Sequence, residues 1–136
     1  MKIVWGLSLC LFFAVEIMAV AQGADDAGEA RIFYEKVVKA QPANANAHFD
    51  LGNVYLQEKR YSDALGQYEK VGKPVALAAS RMDSYYFNKA ICYAGLDRMA
   101  DAMRSLEDCL KVNPKNQEAE SLLKIYKEKT EIALSP

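Results

Sequence analysis

The chain has 136 residues, of which 51% are hydrophobic and 26% are charged, the balance of one ordinary globular domain. Lys and Arg number 17 against 18 Asp and Glu, and the net charge is −1. No segment carries a sustained basic stripe, so the composition disfavours nucleic-acid binding. With 7 Gly, 4 Pro and 3 Cys, the chain is neither collagenous, disordered nor disulfide-dense.

The N-terminal segment predicts export. Lys2 precedes an apolar run over residues 3–15, and Ala19-Val20-Ala21 has the small-x-small form of a cleavage site. We therefore expect a signal peptide at 1–21. The alternative is an uncleaved membrane anchor, because only Glu16 interrupts an apolar stretch about long enough to span a bilayer.

The mature domain, residues 22–136, predicts an all-α fold. From residue 25 onward, apolar residues recur at three- and four-residue spacing, and no stretch alternates with period two for long enough to form a strand. Turn-forming residues at 41–44, 72–74 and 113–116 divide the helical segments.

Two stretches of the helical region can be laid over each other. The first contains His48, Leu51, Gly52, Tyr55, Ala64 and Tyr68, and the second contains Tyr86, Ala90, Tyr93, Ala102, Leu106 and Pro114. Upstream, the second half of a further unit has Ala30, Tyr34, Val37 and Pro42. This pattern resembles the tetratricopeptide repeat, W-x2-L-G-x2-Y followed by A-x3-F and P over about 34 residues.

The resemblance implies a right-handed α-α superhelix of helical hairpins ending in a capping helix. Its units are a half repeat at about 25–44, repeats at 45–78 and 83–116, and the capping helix at 117–133. The residues support the same packing, because a small residue in each first helix, Gly52 or Ala90, lets the second helix approach closely.

The sequence departs from the pattern at two places. Gly52 and Ala90 are 38 residues apart, about four more than the family period, and Lys89 stands where the pattern has Leu. The excess lies between Pro74 and Tyr86, where helical spacing persists, so we predict a lengthened first helix starting near Pro74.

Little in the sequence supports catalysis or metal binding. His48, the one histidine, occupies the aromatic position of the repeat and is expected to be structural, and no nucleophile or phosphate-binding motif is present. Cys92 and Cys109 fall short of a four-ligand metal site. Export would permit a disulfide between them, but Cys92 lies roughly 200° around the helix from Ala90, which favours two buried free thiols. We expect no enzyme activity, no metal and no cofactor.

The resemblance implies a partner-binding groove lined by the first helices. The residues at the groove positions are Asn46, Phe49, Asp50, Asn53, Leu56, Ser84, Phe87, Asn88 and Ile91. Some family members hold a C-terminal carboxylate with two Asn and several cations. Asn53 and Asn88 match the two Asn, but Phe49, Glu118 and Leu122 replace cations, so this clamp is expected to be absent.

The sequence thus predicts an exported, non-enzymatic interaction module or scaffold that binds another protein or a peptide segment. The periplasm is the expected compartment, with secretion or membrane anchoring as alternatives, and no nucleic-acid partner is expected. The competing hypothesis is self-assembly as a homodimer, through the open end left by the half unit at 25–41.

Overall fold

Side-chain capping marks the start of two helices in the computed structural model, which describes residues 26, 28–73 and 76–134. The Asn44 side chain accepts a hydrogen bond from the Ala47 backbone N–H at 3.0 Å, and Asn116 does the same for Ala119. Both bonds satisfy a backbone donor that the helix start leaves unpaired.

The described residues form six helices and no strand, which confirms the predicted all-α helical-repeat fold. The helices are α1 (28–40), α2 (Ala45–Gln57), α3 (Tyr61–Lys70), α4 (Ala79–Gly95), α5 (Met99–Val112) and α6 (Gln117–Leu134). None of these helices is long and apolar enough to cross a membrane. The predicted signal peptide at 1–21 lies outside the described residues.

The turns of the two complete hairpins, α2–α3 and α4–α5, repeat one geometry. Lys59 and Asp97 hold the same place in their turns and have φ of 58° and 57°. In each turn a backbone N–H of Arg donates to a tyrosine carbonyl oxygen five residues earlier, Arg60 to Tyr55 at 2.8 Å and Arg98 to Tyr93 at 2.9 Å. The same guanidinium group also lies over the ring of that tyrosine, 4.4 Å and 4.8 Å from the ring centroid.

Two apolar clusters hold the helices together. The first joins α2, α3 and α4 around Tyr68, and Tyr34 and Val38 attach α1 to it. The second joins α4, α5 and α6 around Leu106 and Ala119. Each helix therefore packs only against near neighbours, as expected in a repeat protein.

Helix α4 begins at Ala79, five residues later than the sequence predicted. It is nevertheless the longer first helix, with 17 residues against 13 in α2. The segment before it has Gly72 at a φ of 71° and contributes Leu77, 4% exposed, to the first cluster. The four extra residues thus provide one added helical turn at the start of α4.

Lys89 occupies a position where the repeat pattern has Leu. It is accommodated there because its ammonium group lies near two aromatic rings. Its ammonium nitrogen lies 5.4 Å from the Tyr85 ring centroid and 5.9 Å from that of Tyr93. The stem is half-buried, while the charge interacts with both ring faces.

The two cysteines in the described part of the chain, Cys92 and Cys109, are free thiols in different clusters. Cys92 packs in the first cluster and Cys109 in the second, and both have 0% exposure. Burial raises the pKa of Cys92 from its ordinary 9.0 to about 12 and that of Cys109 to about 11. Both groups are therefore protonated, unreactive core residues near neutral pH.

We expect Gly52→Ala to destabilise the fold. An added Cβ would meet the buried Tyr68 ring, with its Cδ1 atom only 2.7 Å away. Because the 0% exposed ring has no space to retreat, the substitution should cost about 1 to 3 kcal/mol of unfolding free energy, measured by urea denaturation.

Gly66→Ala is the matched control, since nothing lies within 4 Å of its added Cβ. Gly66 lies inside α3, so this change should stabilise by about 0.5 to 1 kcal/mol. Equal effects of the two substitutions would contradict the close contact at Gly52.

Candidate partner-binding face

The predicted groove residues lie along α2 and α4, and the structure places them at different depths. Asn46 and Ser84 are exposed. Phe49 is buried. The remaining residues are half-buried, namely Asp50, Asn53, Leu56, Phe87, Asn88 and Ile91. Helices α2 and α4 are in contact, and Phe87 and Leu122 of α6 both pack against the second cluster. We call the nine residues together the groove face.

Phe49 does not offer the anchor surface that the sequence predicted. Its side chain is 3% exposed and packs with the rings of Tyr68 and Tyr85, whose centroids lie 6.0 Å and 6.5 Å away. Phe49 therefore stabilises the first cluster, and its burial leaves no area for a partner side chain.

Arg81 closes the end of the groove face at the start of α2. Its Nη2 atom lies 2.6 Å from Asp50 Oδ1, and its Nη1 donates to Asn46 Oδ1 at 3.1 Å. The guanidinium carbon is 5.0 Å from the centroid of the Phe49 ring. The polar groups of Asn46 and Asp50, predicted to meet a partner, thus already bind an arginine of the same chain.

The added turn of α4 is what brings Arg81 to this place. Helices α2 and α4 end at equivalent repeat positions, Gln57 and Gly95, so the four extra residues of α4 lie at its start. Arg81 belongs to them. The signal for this contact was present in the sequence as the 38-residue spacing from Gly52 to Ala90.

Asn53 and Asn88 form the polar centre of the groove face. Asn88 Nδ2 donates to Asn53 Oδ1 at 2.9 Å, and the Tyr68 hydroxyl donates to the same oxygen at 2.8 Å. Burial raises the pKa of Tyr68 well above its ordinary value, so the hydroxyl keeps its proton and remains a donor. The tyrosine and both amides therefore hold α2, α3 and α4 in a fixed relation.

One donor and one acceptor of this centre stay available. Asn53 Nδ2 and Asn88 Oδ1 make no hydrogen bond to any group in the described part of the chain. A peptide unit carries one carbonyl acceptor and one N–H donor, which matches this pair of groups.

Helix α6 extends the groove face with a residue that the sequence prediction missed. Ile125 lies 34 residues after Ile91, so it occupies the same repeat position, and it is 45% exposed. Applying the period to the third unit would have identified it. Glu118 is also exposed on α6, in agreement with the absence of a cation at this position.

His48 has no free ring nitrogen for catalysis. Its Nδ1 lies 2.9 Å from Gln67 Oε1, and its Nε2 lies 2.9 Å from the carbonyl oxygen of Pro42. The 4% exposed ring therefore connects α2 to α3 and to the preceding turn. Within residues 26, 28–73 and 76–134, no group of three or more His, Cys, Asp or Glu could hold a metal ion.

A depression of about 390 Å³ lies between α5 and α6, away from the groove face. Its lining combines Met103 and Thr130 with charged residues. Lys127 and Glu107 pair across it at 3.4 Å. The paired charges and the open shape give it no feature of a built ligand site.

Comparison with known proteins identifies the repeat. Two family profiles described as "Tetratricopeptide repeat" match, one over residues 21–80 and the other over 83–116. Together they cover more than half of the chain. No curated protein sequence matches.

Solved structures share the fold at low sequence identity. MamA 41-end from Desulfovibrio magneticus RS-1 is 23% identical with a TM-score of 0.68, over 81% of this chain and 60% of that one. A MamA RS-1 double mutant has a TM-score of 0.69 with the same sequence identity and the same coverage of both chains. The N-terminal domain of stress-induced protein-1 from C. elegans is 17% identical with a TM-score of 0.65, over 80% of this chain and 87% of that one. The chain thus spans about 60% of the MamA structures, and these likenesses show the fold alone.

We expect the Arg81–Asp50 contact to contribute a measurable coupling energy. The side chains are 36% and 21% exposed, so a double-mutant cycle of Arg81→Ala and Asp50→Ala should give about 0.2 to 1 kcal/mol in low salt, and less as salt is added. Urea denaturation of the four proteins measures it.

The Arg104–Asp101 pair serves as the control because Arg104 is 75% exposed and its nitrogen lies 3.6 Å from the carboxylate. Its cycle should give a coupling near zero. Strictly additive effects of Arg81→Ala and Asp50→Ala would show that Arg81 does not hold the groove face closed.

Proposed function

Because the chain belongs to the tetratricopeptide-repeat family, whose members typically serve as protein-interaction scaffolds, we propose that it binds a segment of another protein on its groove face. The single observation that carries this proposal is the centre formed by Asn53 and Asn88. The two amides are fixed by each other and by Tyr68, so their open donor and acceptor are already oriented before a partner arrives.

The surroundings of this centre suit a segment with apolar side chains. Leu56, Phe87 and Ile91 are half-buried on the same face, and Ile125 is exposed at the equivalent position of α6. A bound segment would pair one peptide unit with the amides and place its apolar side chains on these residues. Arg81 limits the segment to the part of the face beyond Asp50.

A role without catalysis fits the polar groups of the described chain. Both ring nitrogens of His48 are engaged by neighbouring oxygens. Burial holds the pKa of both thiols far above neutral pH. These are the groups from which a general base or nucleophile would ordinarily be drawn.

Self-assembly is the second candidate function, and one observation favours it. Helix α1 leaves Ile32 49% and Phe33 60% exposed at the N-terminal end of the array. Exposed neighbouring apolar residues of this size are typical of a surface that another molecule covers.

We also propose that the protein acts after export, as residues 1–21 suggest. A full-length gene expressed in a bacterial host should yield a product whose intact mass corresponds to a chain beginning at Gln22. Ala21→Arg should block processing, whereas Val20→Leu should not, since the middle position of the cleavage site tolerates larger residues. An unprocessed wild-type chain in the membrane fraction would establish the anchor instead.

To test the groove proposal, the purified protein is used to capture partners from an envelope extract of the organism that naturally makes it. Binding of synthetic segments of each captured protein is then measured. Asn88→Arg should weaken a true groove ligand by about tenfold or more, because it removes an amide hydrogen bond and places a bulky cation in the centre. Fluorescence anisotropy of the labelled segment gives the affinity.

Ser62→Arg is the control, since it adds the same charge at an exposed site on α3. Circular dichroism must show equal helicity in all three proteins. Binding that Asn88→Arg leaves unchanged for every segment would overturn the groove proposal.

A further inference from the structure

Helix α1 corresponds to the second helix of a hairpin, and no first helix for it lies among the described residues 26, 28–73 and 76–134. Residues 33, 67 and 105 hold one repeat position. Gln67 of α3 is bonded to His48 of its own hairpin, and Ser105 of α5 is 7% exposed, whereas Phe33 is 60% exposed. The first helix of the hairpin covers this position in the complete units, and no described helix covers it on α1.

Other α1 positions show the same difference. Ala64 and Ala102 are completely buried, but the equivalent Ala30 is only half-buried. Tyr34 is likewise half-buried where Tyr68 has 0% exposure. The uncovered surface therefore includes positions 30, 33 and 34 of α1.

Subtracting the 34-residue period from the bounds of α2 assigns the missing helix to residues 11–23, most of which belong to the expected signal peptide. Glu16 and Gln22 are the only polar residues of this stretch, which lacks the polar face that α2 and α4 present. The family profile begins only at residue 21. These observations favour a cover supplied by another molecule.

The charges on α1 point to a second copy of this chain as that molecule. Glu29, Ile32, Phe33 and Lys36 follow helical spacing on one side of α1 and are all exposed. Asp26 continues the acidic end, and Lys39 lies near the basic end. The stripe thus runs from acidic through apolar to basic.

Such a stripe complements itself when two copies run antiparallel. With Ile32 opposite the partner's Phe33, Glu29 lies opposite the partner's Lys36, and Lys36 lies opposite the partner's Glu29. A parallel arrangement would bring like charges together. We propose that two copies associate through an antiparallel α1–α1 contact centred on Ile32 and Phe33, an isologous interface.

The opposite end of the array does not suit a head-to-tail contact. Exposed charged residues cover the outer side of α6, among them Glu120, Lys124, Lys127, Glu128 and Glu131. An apolar α1 stripe docked there would remove these charges from water. Association should therefore close at a dimer rather than continue as a filament.

This inference rests on the second candidate function and is independent of groove binding. The test uses the product of the full-length gene, with its N-terminus read by intact mass. Sedimentation analysis over a concentration series in low salt should show twice the monomer mass. Phe33→Glu should leave monomers, whereas Ile132→Glu, a change at a 74% exposed residue of α6, should leave the dimer intact.

A charge exchange tests the antiparallel register. Glu29→Lys and Lys36→Glu should each weaken their own homodimer, because like charges then face each other. Mixed in equal amounts, the two variants should form a heterodimer, since every facing pair is then of opposite charge. With one variant labelled with 15N, native mass spectrometry distinguishes the three species, and circular dichroism checks that each variant is folded.

Each outcome decides between the possibilities. A wild-type monomer at all concentrations would overturn both the dimer and the self-assembly candidate while leaving the groove proposal standing. A dimer that Phe33→Glu does not affect would overturn the α1 contact alone. A dissociating Phe33→Glu variant without preferential heterodimer formation would overturn the antiparallel register.

Discussion

The contact between the Tyr68 ring and Gly52 is the constraint on which the rest of the structure depends. The ring lies where any Cβ at position 52 would collide with it, so α3 approaches α2 closely. From this buried position its hydroxyl fixes Asn53, and its backbone oxygen accepts the Tyr85 hydroxyl at 3.1 Å. One side chain thus connects hairpin packing, the junction to α4 and the polar centre of the groove face.

The inserted turn of α4 changes which polar groups of the groove face are open to a partner. In a strict 34-residue repeat, no residue would stand at the place of Arg81, and Asn46 and Asp50 would face solvent. The insertion supplies the arginine, and the segment just before the helix supplies the buried Leu77. A local change in length therefore shortens the groove face without disturbing the core, because each unit contacts only its neighbours.

The sequence was sufficient for the helical-repeat fold because small and aromatic residues at fixed spacing leave few other ways to pack. It was insufficient for the groove face, where repeat position alone does not set burial. Phe49 and Phe87 occupy the same repeat position, yet only Phe87 is partly exposed. Phe49 is buried because it contacts Tyr85 and Arg81 of α4. Asn46 and Asp50 are both bound by Arg81. The position of Arg81 could not be predicted without knowing that α4 begins at Ala79.

The groove face lies on α2 and α4 and the proposed dimer contact lies on α1, so the two surfaces share no residue and one chain can use both. Such a dimer carries two identical sites at a fixed separation. A partner with two suitable segments would bind the second site at the effective concentration set by that separation, which strengthens binding without any new contact. Since two hydrogen bonds and a small apolar area give modest affinity at one site, the proposed dimerisation would strengthen the hold on such a partner.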